Sequence, residues 1–412
     1  MRGARRARIE PRHLFLATTI VVMVVGGGVT VGIIAGRGNG SPSVTTTTSL
    51  TSSTPVTGGN GSGATGTSTT TQHSTTTVPP APLRVTSIAP SAGDSSVAGT
   101  TSIRVTFSAP IPPNSPMPTI SPQQAGTWAT SGTSAAVFSP SVAYVPLTQL
   151  TVTVPAGSSG VVSSGGAHLA KPVVATFTVA DGSTTRLQQL LSQLDYSPLE
   201  FVSSDAPIAA DDTAAQRAAL FSPPAGTFRW RKSGWPSQLT GLWQPGSYGV
   251  MTKGLVMEFQ ADHELTPNGE TSISLWVALL DALGAGNANT GGYNYALADQ
   301  AHPQSLRIWH DGTLALDLPA NTGIAASPTP DGNFNVFARF RSQVMKGTNP
   351  NGTKYADPVQ YVAYFNGGDA VHYIPRANYG IPQSLGCIEL DLADAARAWP
   401  YLAYGTIVTV IN

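Results

Sequence analysis

The sequence predicts a multidomain chain: an N-terminal membrane-spanning helix, a disordered Ser/Thr-rich stalk, a β-sandwich, a small α-helical module and a mainly-β C-terminal domain that carries the chemistry. Three observations predict it. A length of 412 residues exceeds what one hydrophobic core holds. Only 11% of residues are charged, well under the usual quarter, while Gly, Pro, Ser and Thr are abundant, so much of the chain is not core. Downstream, the apolar period changes from alternating to helical and back to alternating. Formal net charge is zero and no dense basic patch follows the first dozen residues, which excludes nucleic acid as the main partner.

Residues 1–13 are a short basic segment with Arg2, Arg5, Arg6, Arg8 and Arg12, expected to stay in the cytoplasm. The apolar run LFLATTIVVMVVGGGVTVGIIAG, residues 14–36, is long enough at about 1.5 Å per residue to cross a hydrocarbon layer of about 30 Å. Positive charge stays inside, so a single-pass protein of the cell membrane is expected, with its C-terminal domains outside and facing the wall. The run exceeds the apolar stretch of a signal peptide and no small-residue cleavage site follows it, which favours an anchor over a removed leader. Residues 37–82 form the linker. No charged residue lies between Arg37 and Arg84, and a Ser/Thr/Gly/Pro tract of this kind cannot bury enough apolar area to offset chain entropy. As a flexible coil it would span roughly 40 Å.

From 83 to 181, short runs such as SIRVTF, AAVFS, LTVTVP and VVATFTV alternate between turn clusters, the pattern of an immunoglobulin-like β-sandwich. It holds no paired carboxylates and no His/Cys grouping, so spacing or wall contact is its expected role. From 184 to 284 the spacing becomes helical. TRLQQLLSQL sets Leu187, Leu190, Leu191 and Leu194 on one stripe, and KGLVMEFQADHEL and SISLWVALLDAL give two more helices joined by a TPNGE turn. The stretch 254–269 resembles the helical peptidoglycan-binding module: Leu255, Val256, Phe259, Gln260, Leu265 and Gly269 match its pattern, while Glu264 and Asn268 replace its usual Gly and Asp. Phe259, Trp276 and Leu279 would be core residues under either reading.

From 290 to 412 strand-like runs return (SLRIWHDGTLALDLPANTG, NFNVFARF, PVQYVAYF, AVHYI, GTIVTVI), punctuated by turn signals at His310–Gly312 and Asn366–Gly368. One helix, LADAARAWPYL, follows Asp391 as its N-cap. This stretch holds Cys387, the single cysteine of the chain, which cannot close an internal disulfide. A thiol is mostly protonated at neutral pH, so nucleophilic use needs a nearby imidazole, and His372, fifteen residues upstream, is the candidate. Attack on a carbonyl also needs donors for the oxyanion, which the consecutive N–H groups of Ser384, Leu385, Gly386 and Cys387 can supply, with Gly386 allowing close approach.

At these residues the chain resembles the L,D-transpeptidase catalytic domain, the YkuD fold, whose hallmark is a histidine, a loop, and then S-H-G-C-x-R or S-H-G-C-x-N. Val371-His372, Ser384, Gly386-Cys387, Asp394-Ala395 and Gly405-Thr406-Ile407-Val408 match in order, with Asn321-Thr322-Gly323 and Ser327 to Phe334 matching elements upstream. The resemblance implies a peptidoglycan L,D-transpeptidase of cell wall biogenesis acting on stem peptides: Cys387 as nucleophile forming a thioester, His372 as base, and Gly386, Leu385, Ser384, Glu389, Tyr373 and Arg376 around oxyanion and substrate. Two residues depart from the motif. Leu385 stands where the family has a second histidine, and Glu389 where it has Arg or Asn; a carboxylate there opposes thiolate formation unless Arg376 or Arg397 pairs with it. Hydrolysis would use the same residues, so an L,D-carboxypeptidase stays open, as do a sortase-like acyltransferase and a catalytically degenerate wall-binding scaffold. No cofactor is expected and no metal, since no ligand spacing is present.

Overall fold

The computed structural model describes residues 81–412; the basic segment, the apolar run 14–36 and nearly all of the stalk lie outside them. Among the described residues no helix is long and apolar enough to cross a membrane. Seven strands come first: β1 (Val85–Ala89), β2 (Ile103–Phe107), β3 (Thr119–Ser121), β4 (Gly126–Ser131), β5 (Ala135–Pro140), β6 (Gln149–Val154) and β7 (Val173–Thr178). They form two antiparallel sheets, ordered β1-β2-β5-β4 and β3-β6-β7. Alternation decides what faces inward: Ile103, Val105 and Phe107 from one sheet meet Leu150, Val152, Val154 and Phe177 from the other.

The next segment departs from a plain three-helix unit. It runs α1 (Thr184–Gln193), β8 (Leu199–Ser203), α2 (Thr213–Ala219), β9 (Gly226–Trp230), α3 (Ser237–Thr240), α4 (Val250–Asp262) and α5 (Ile273–Ala285). The aromatic stretch that reads as a connector supplies β9, which pairs with β8 in a two-stranded ribbon and stacks Phe228 on Phe201. The Leu stripe of α1 is fully buried as its spacing predicts. Helix α4 turns into α5 through Gly269, at φ +69°, where Gln260 takes the Gly269 N–H at 2.8 Å and gives its own amide hydrogen to the Glu270 carbonyl at 3.0 Å.

The C-terminal strands are β10 (Asn294–Asp299), β11 (Ser305–His310), β12 (Thr313–Pro319), β13 (Gly332–Asn335), β14 (Ala338–Thr348), β15 (Lys354–Asn366), β16 (Asp369–Tyr373), β17 (Ile388–Leu390) and β18 (Ile407–Ile411), with α6 (Leu392–Ala398) before the last. One sheet has the order β12-β11-β10-β18-β13 and the other β14-β15-β16-β17. The Asp311-Gly312 turn joins β11 to β12 with both residues at positive φ, as a tight hairpin requires. Asp391 caps α6 by accepting the Asp394 N–H at 2.8 Å.

The five-stranded sheet is buried on both faces. Ala296 and Ala298 of β10, with Val408 and Val410 of β18, pack toward the second sheet and α6. Tyr295, Leu297 and Ile407 point the other way, into one core with Leu255, Phe259, Trp276 and Leu279. The helical layer therefore covers the second face of this sheet. Contact is close enough that a Cβ on Gly254 would fall 2.4 Å from the Gly405 carbonyl.

Candidate active site

Strand β16 and the turn before β17 build the site. The two strands run parallel, with His372 opposite Glu389 and Val371 opposite Ile388. Side chains alternate along a strand, so Cys387 and Glu389 share the face that His372 takes on β16. That face opens on a cavity of about 580 Å³ lined by Cys387, His372, Leu385, Arg376 and Glu389. The cavity continues along the same sheet onto a long arm, β14 with β15, whose Tyr355, Asp357 and Val359 alternate onto the cavity side and whose turn at Asn349 to Asn351 also lines it.

His372 is buried, and its Nδ1 lies 3.1 Å from the Tyr373 carbonyl. A carbonyl only accepts, so Nδ1 carries the hydrogen and Nε2 is left as the basic atom. Burial pushes the imidazole below its ordinary value, so it is neutral at neutral pH. Cys387 is partly exposed rather than sealed in hydrocarbon. Its thiol is pushed up to about 12, by burial first and then by the charges of Asp369 and Glu389, with the Ala370 backbone acting the other way. Its sulfur reaches the Gly368 carbonyl at 3.9 Å and makes no hydrogen bond to the His372 ring. The resting pair is therefore a neutral thiol and a neutral imidazole on one cavity wall.

The turn holding the nucleophile is fixed locally. Ser384, fully buried, gives its hydroxyl hydrogen to the Cys387 carbonyl at 2.6 Å and accepts the Gly386 N–H at 3.2 Å. Gly386 sits at φ +115°, and a Cβ there would fall 2.3 Å from the Asp369 carboxylate, so both conformation and space demand glycine. The Ser384 N–H goes to the Thr322 carbonyl at 3.0 Å. The expected row of four donors is thus reduced, since Ser384 and Gly386 hold the turn. Within the described residues the N–H groups of Leu385 and Cys387 remain unengaged. Because those donors are backbone groups, leucine in place of the family's second histidine does not remove them.

Glu389 resolves in favour of the first pairing. Its carboxylate is buried and grips Arg376 at both oxygens, Nε to Oε2 at 2.8 Å and Nη2 to Oε1 at 2.5 Å. Arg397 instead bonds Asp394 on α6. The two-pronged pairing with Arg376 offsets part of the Glu389 charge, which still raises the thiol. Tyr373 does not meet the expectation of a substrate contact: its ring lies on the other face of β16 with the inter-sheet core, and only its carbonyl serves the site. Asp357, Tyr355 and Asp369 are absent from the sequence-derived set although each adjoins the cleft or its turn. Asp357 stands just before the PVQYVAYF run, and the alternation Tyr355, Asp357, Val359 is the signal that would have found it.

Comparison with known proteins agrees with this geometry. Residues 293–410 match the L,D-transpeptidase catalytic domain family, YkuD, and residues 77–179 match the bacterial Ig-like domain family. The chain thus carries a YkuD L,D-transpeptidase catalytic domain behind a bacterial Ig-like domain; the L,D-transpeptidase family acts on peptidoglycan stem peptides. The helical segment between them is not identified with any family, the peptidoglycan-binding module included. Similar solved structures include an L,D-transpeptidase from Mycobacterium smegmatis (14% identity, 81% of this chain, 100% of that one, TM-score 0.27). L,D-transpeptidase 3 from Mycobacterium tuberculosis is another (14%, 80% and 98%, TM-score 0.27), as is the E. faecium L,D-transpeptidase catalytic domain (28%, 29% and 96%, TM-score 0.27). At such scores these likenesses carry no argument, and the assignment rests on the family matches. No curated protein matches the chain.

Proposed function

We propose that the protein is a working L,D-transpeptidase that cross-links peptidoglycan through a thioester on Cys387, held at the outer face of the membrane by residues 14–36. The observation that carries the reading is the meeting of thiol, buried imidazole and unengaged N–H pair at one cavity of a YkuD domain. The arginine-rich flank and the Ser/Thr stalk support the placement outside. When a stem peptide fills the cleft, Sγ bonds to the carbonyl carbon ahead of the terminal D-residue while its proton passes to His372 Nε2. The oxyanion accepts from the Leu385 and Cys387 N–H groups. The imidazolium then returns the proton to the departing amine as the C–N bond breaks, leaving the thioester. An amine from a second stem attacks that carbonyl and releases the sulfur.

Intact-mass spectrometry with a carbapenem tests this. Wild-type chain gains one adduct on residue 387, Cys387→Ala gains none, and His372→Ala reacts about a hundredfold or more slowly. Burial holds the imidazole low, and protonation removes the base. The acylation rate should therefore fall on the acid side with a midpoint below the usual histidine value of about 6.5. No adduct at Cys387 in the wild type would return the chain to a wall-binding scaffold.

A further inference from the structure

The cavity lining carries three charged side chains, Asp357, Arg376 and Glu389. Glu389 and Arg376 are locked together, so they cancel and neither is free to follow a ligand. Asp357 makes no ion pair or hydrogen bond among the described residues and leaves the lining with a net negative charge. It sits on β15 opposite Met345, between Tyr355 and Val359 on the cavity side, on the strand next to the one that bears His372, and lines the same cavity as Cys387 and His372. Its field reaches both His372 and Arg376. An unpaired carboxylate facing a reaction cavity attracts a cation and repels a second carboxylate.

We propose that Asp357 is the binding group for the acceptor, recognising it as a primary ammonium, so that cross-linking by cationic amines outcompetes hydrolysis. This rests on the transpeptidase reading above and adds the acceptor to it. The ammonium docks on Asp357 and loses its surplus proton to solvent. The amine nitrogen then bonds to the thioester carbon and passes a second proton to His372 Nε2. The C–S bond breaks and the imidazolium returns that proton to the thiolate, which restores neutral Cys387 and neutral His372 and leaves a new amide. The locked Arg376 keeps Glu389 from drawing the ammonium away from the carbonyl.

The test reads how the acyl-enzyme is partitioned. A purified tetrapeptide muropeptide is the donor, and two acceptors compete with water: Nα-acetyl-lysine amide, a cation at neutral pH, and hydroxylamine, which is uncharged there. In Asp357→Asn the ratio of transfer to the lysine amide over transfer to hydroxylamine should fall about tenfold or more, the scale of one charge-assisted contact. Asp357→Glu should restore most of the ratio, and Asp357→Lys should lower it further. A fold defect would slow both acceptors together and leave the ratio in place, so a ratio within about twofold of wild type in Asp357→Asn and Asp357→Lys overturns the proposal. An adduct on Cys387 with an unchanged ratio removes the acceptor assignment alone, whereas no adduct in the wild type removes the transpeptidase reading and this inference with it.

Discussion

Phe177 closes a core built almost wholly from sandwich residues, whereas Trp276, equally buried, closes a core that also holds Tyr295, Leu297 and Ile407 of the catalytic sheet. Both regions look like upstream modules in the chain. One has a core of its own and the other is a layer on the five-stranded sheet. Among the described residues Phe221 packs against both cores, Val145 of the sandwich packs on the second, and Arg217 reaches the Ala143 carbonyl at 3.4 Å, so the two regions meet without sharing a core. Adjacency along a chain therefore says little about thermodynamic independence; the second face of a sheet strand says much more. Strand β10 reads NYALAD and is buried from Asn294 through Ala298, which requires a layer on each side.

The contrast can be broken most sharply by cutting. A fragment of residues 182–412 should unfold in one cooperative transition, followed by circular dichroism on heating. Residues 290–412 alone should lack a transition, because one face of the five-stranded sheet is then stripped. Folding of the shorter piece to a carbapenem-reactive state would end the distinction. Next in size, Trp276→Ala should cost about 3–5 kcal/mol. Carbapenem acylation should then fail at the same lowered denaturant concentration as the helical signal. Phe177→Ala, of similar cost, should lower a separate transition and leave acylation in place. Gly254→Ala should cost about 1–3 kcal/mol, since the added methyl meets the Gly405 backbone and neither chain can retreat from a packed interface.

The smallest effect concerns Glu258 on α4. Burial, with the charge of Asp262 next, raises its carboxyl from 4.5 to about 8. The unfolded chain ionises first, so the folded state holds the proton more tightly. Stability linked to this group is complete below about 4.5 and is lost as pH rises toward 8. Glu258→Gln should remove that slope, so its melting temperature should exceed the wild-type value at pH 8 and converge with it near pH 4, as read by differential scanning calorimetry.

Much of this was legible in the sequence because the signals are local. Two-residue periodicity gave the sandwich strands, the Leu187 stripe gave α1, Asp311-Gly312 gave a hairpin, and Asp391 gave a cap. Cys387 and His372 stood out because a solitary thiol and a histidine at loop distance are distinctive by residue type alone, and the structure sets both on one cavity. What could not be read were facts of opposite faces. Helix α5 is apolar nearly all round, yet only Leu275, Trp276, Leu279 and Ala282 are buried while Ile273 and Val277 stay exposed, and its pattern does not tell which face meets the sheet. Tyr373 neighbours His372 in sequence and so points away from it in a strand. Asp357 carries no signal of its own in the sequence, and the pairing of β15 with β14 and β16 is what brings it to the cavity.

The thiol held near 12 has one more consequence. Oxidation to sulfenic acid and capture by stray disulfides both proceed through the thiolate, whose population at rest is minute here. Under the proposed placement outside the membrane, Cys387 is thereby kept in reserve, chemically quiet until a peptide displaces water and engages the imidazole. The arrangement shields a sulfur that has no partner cysteine to regenerate it.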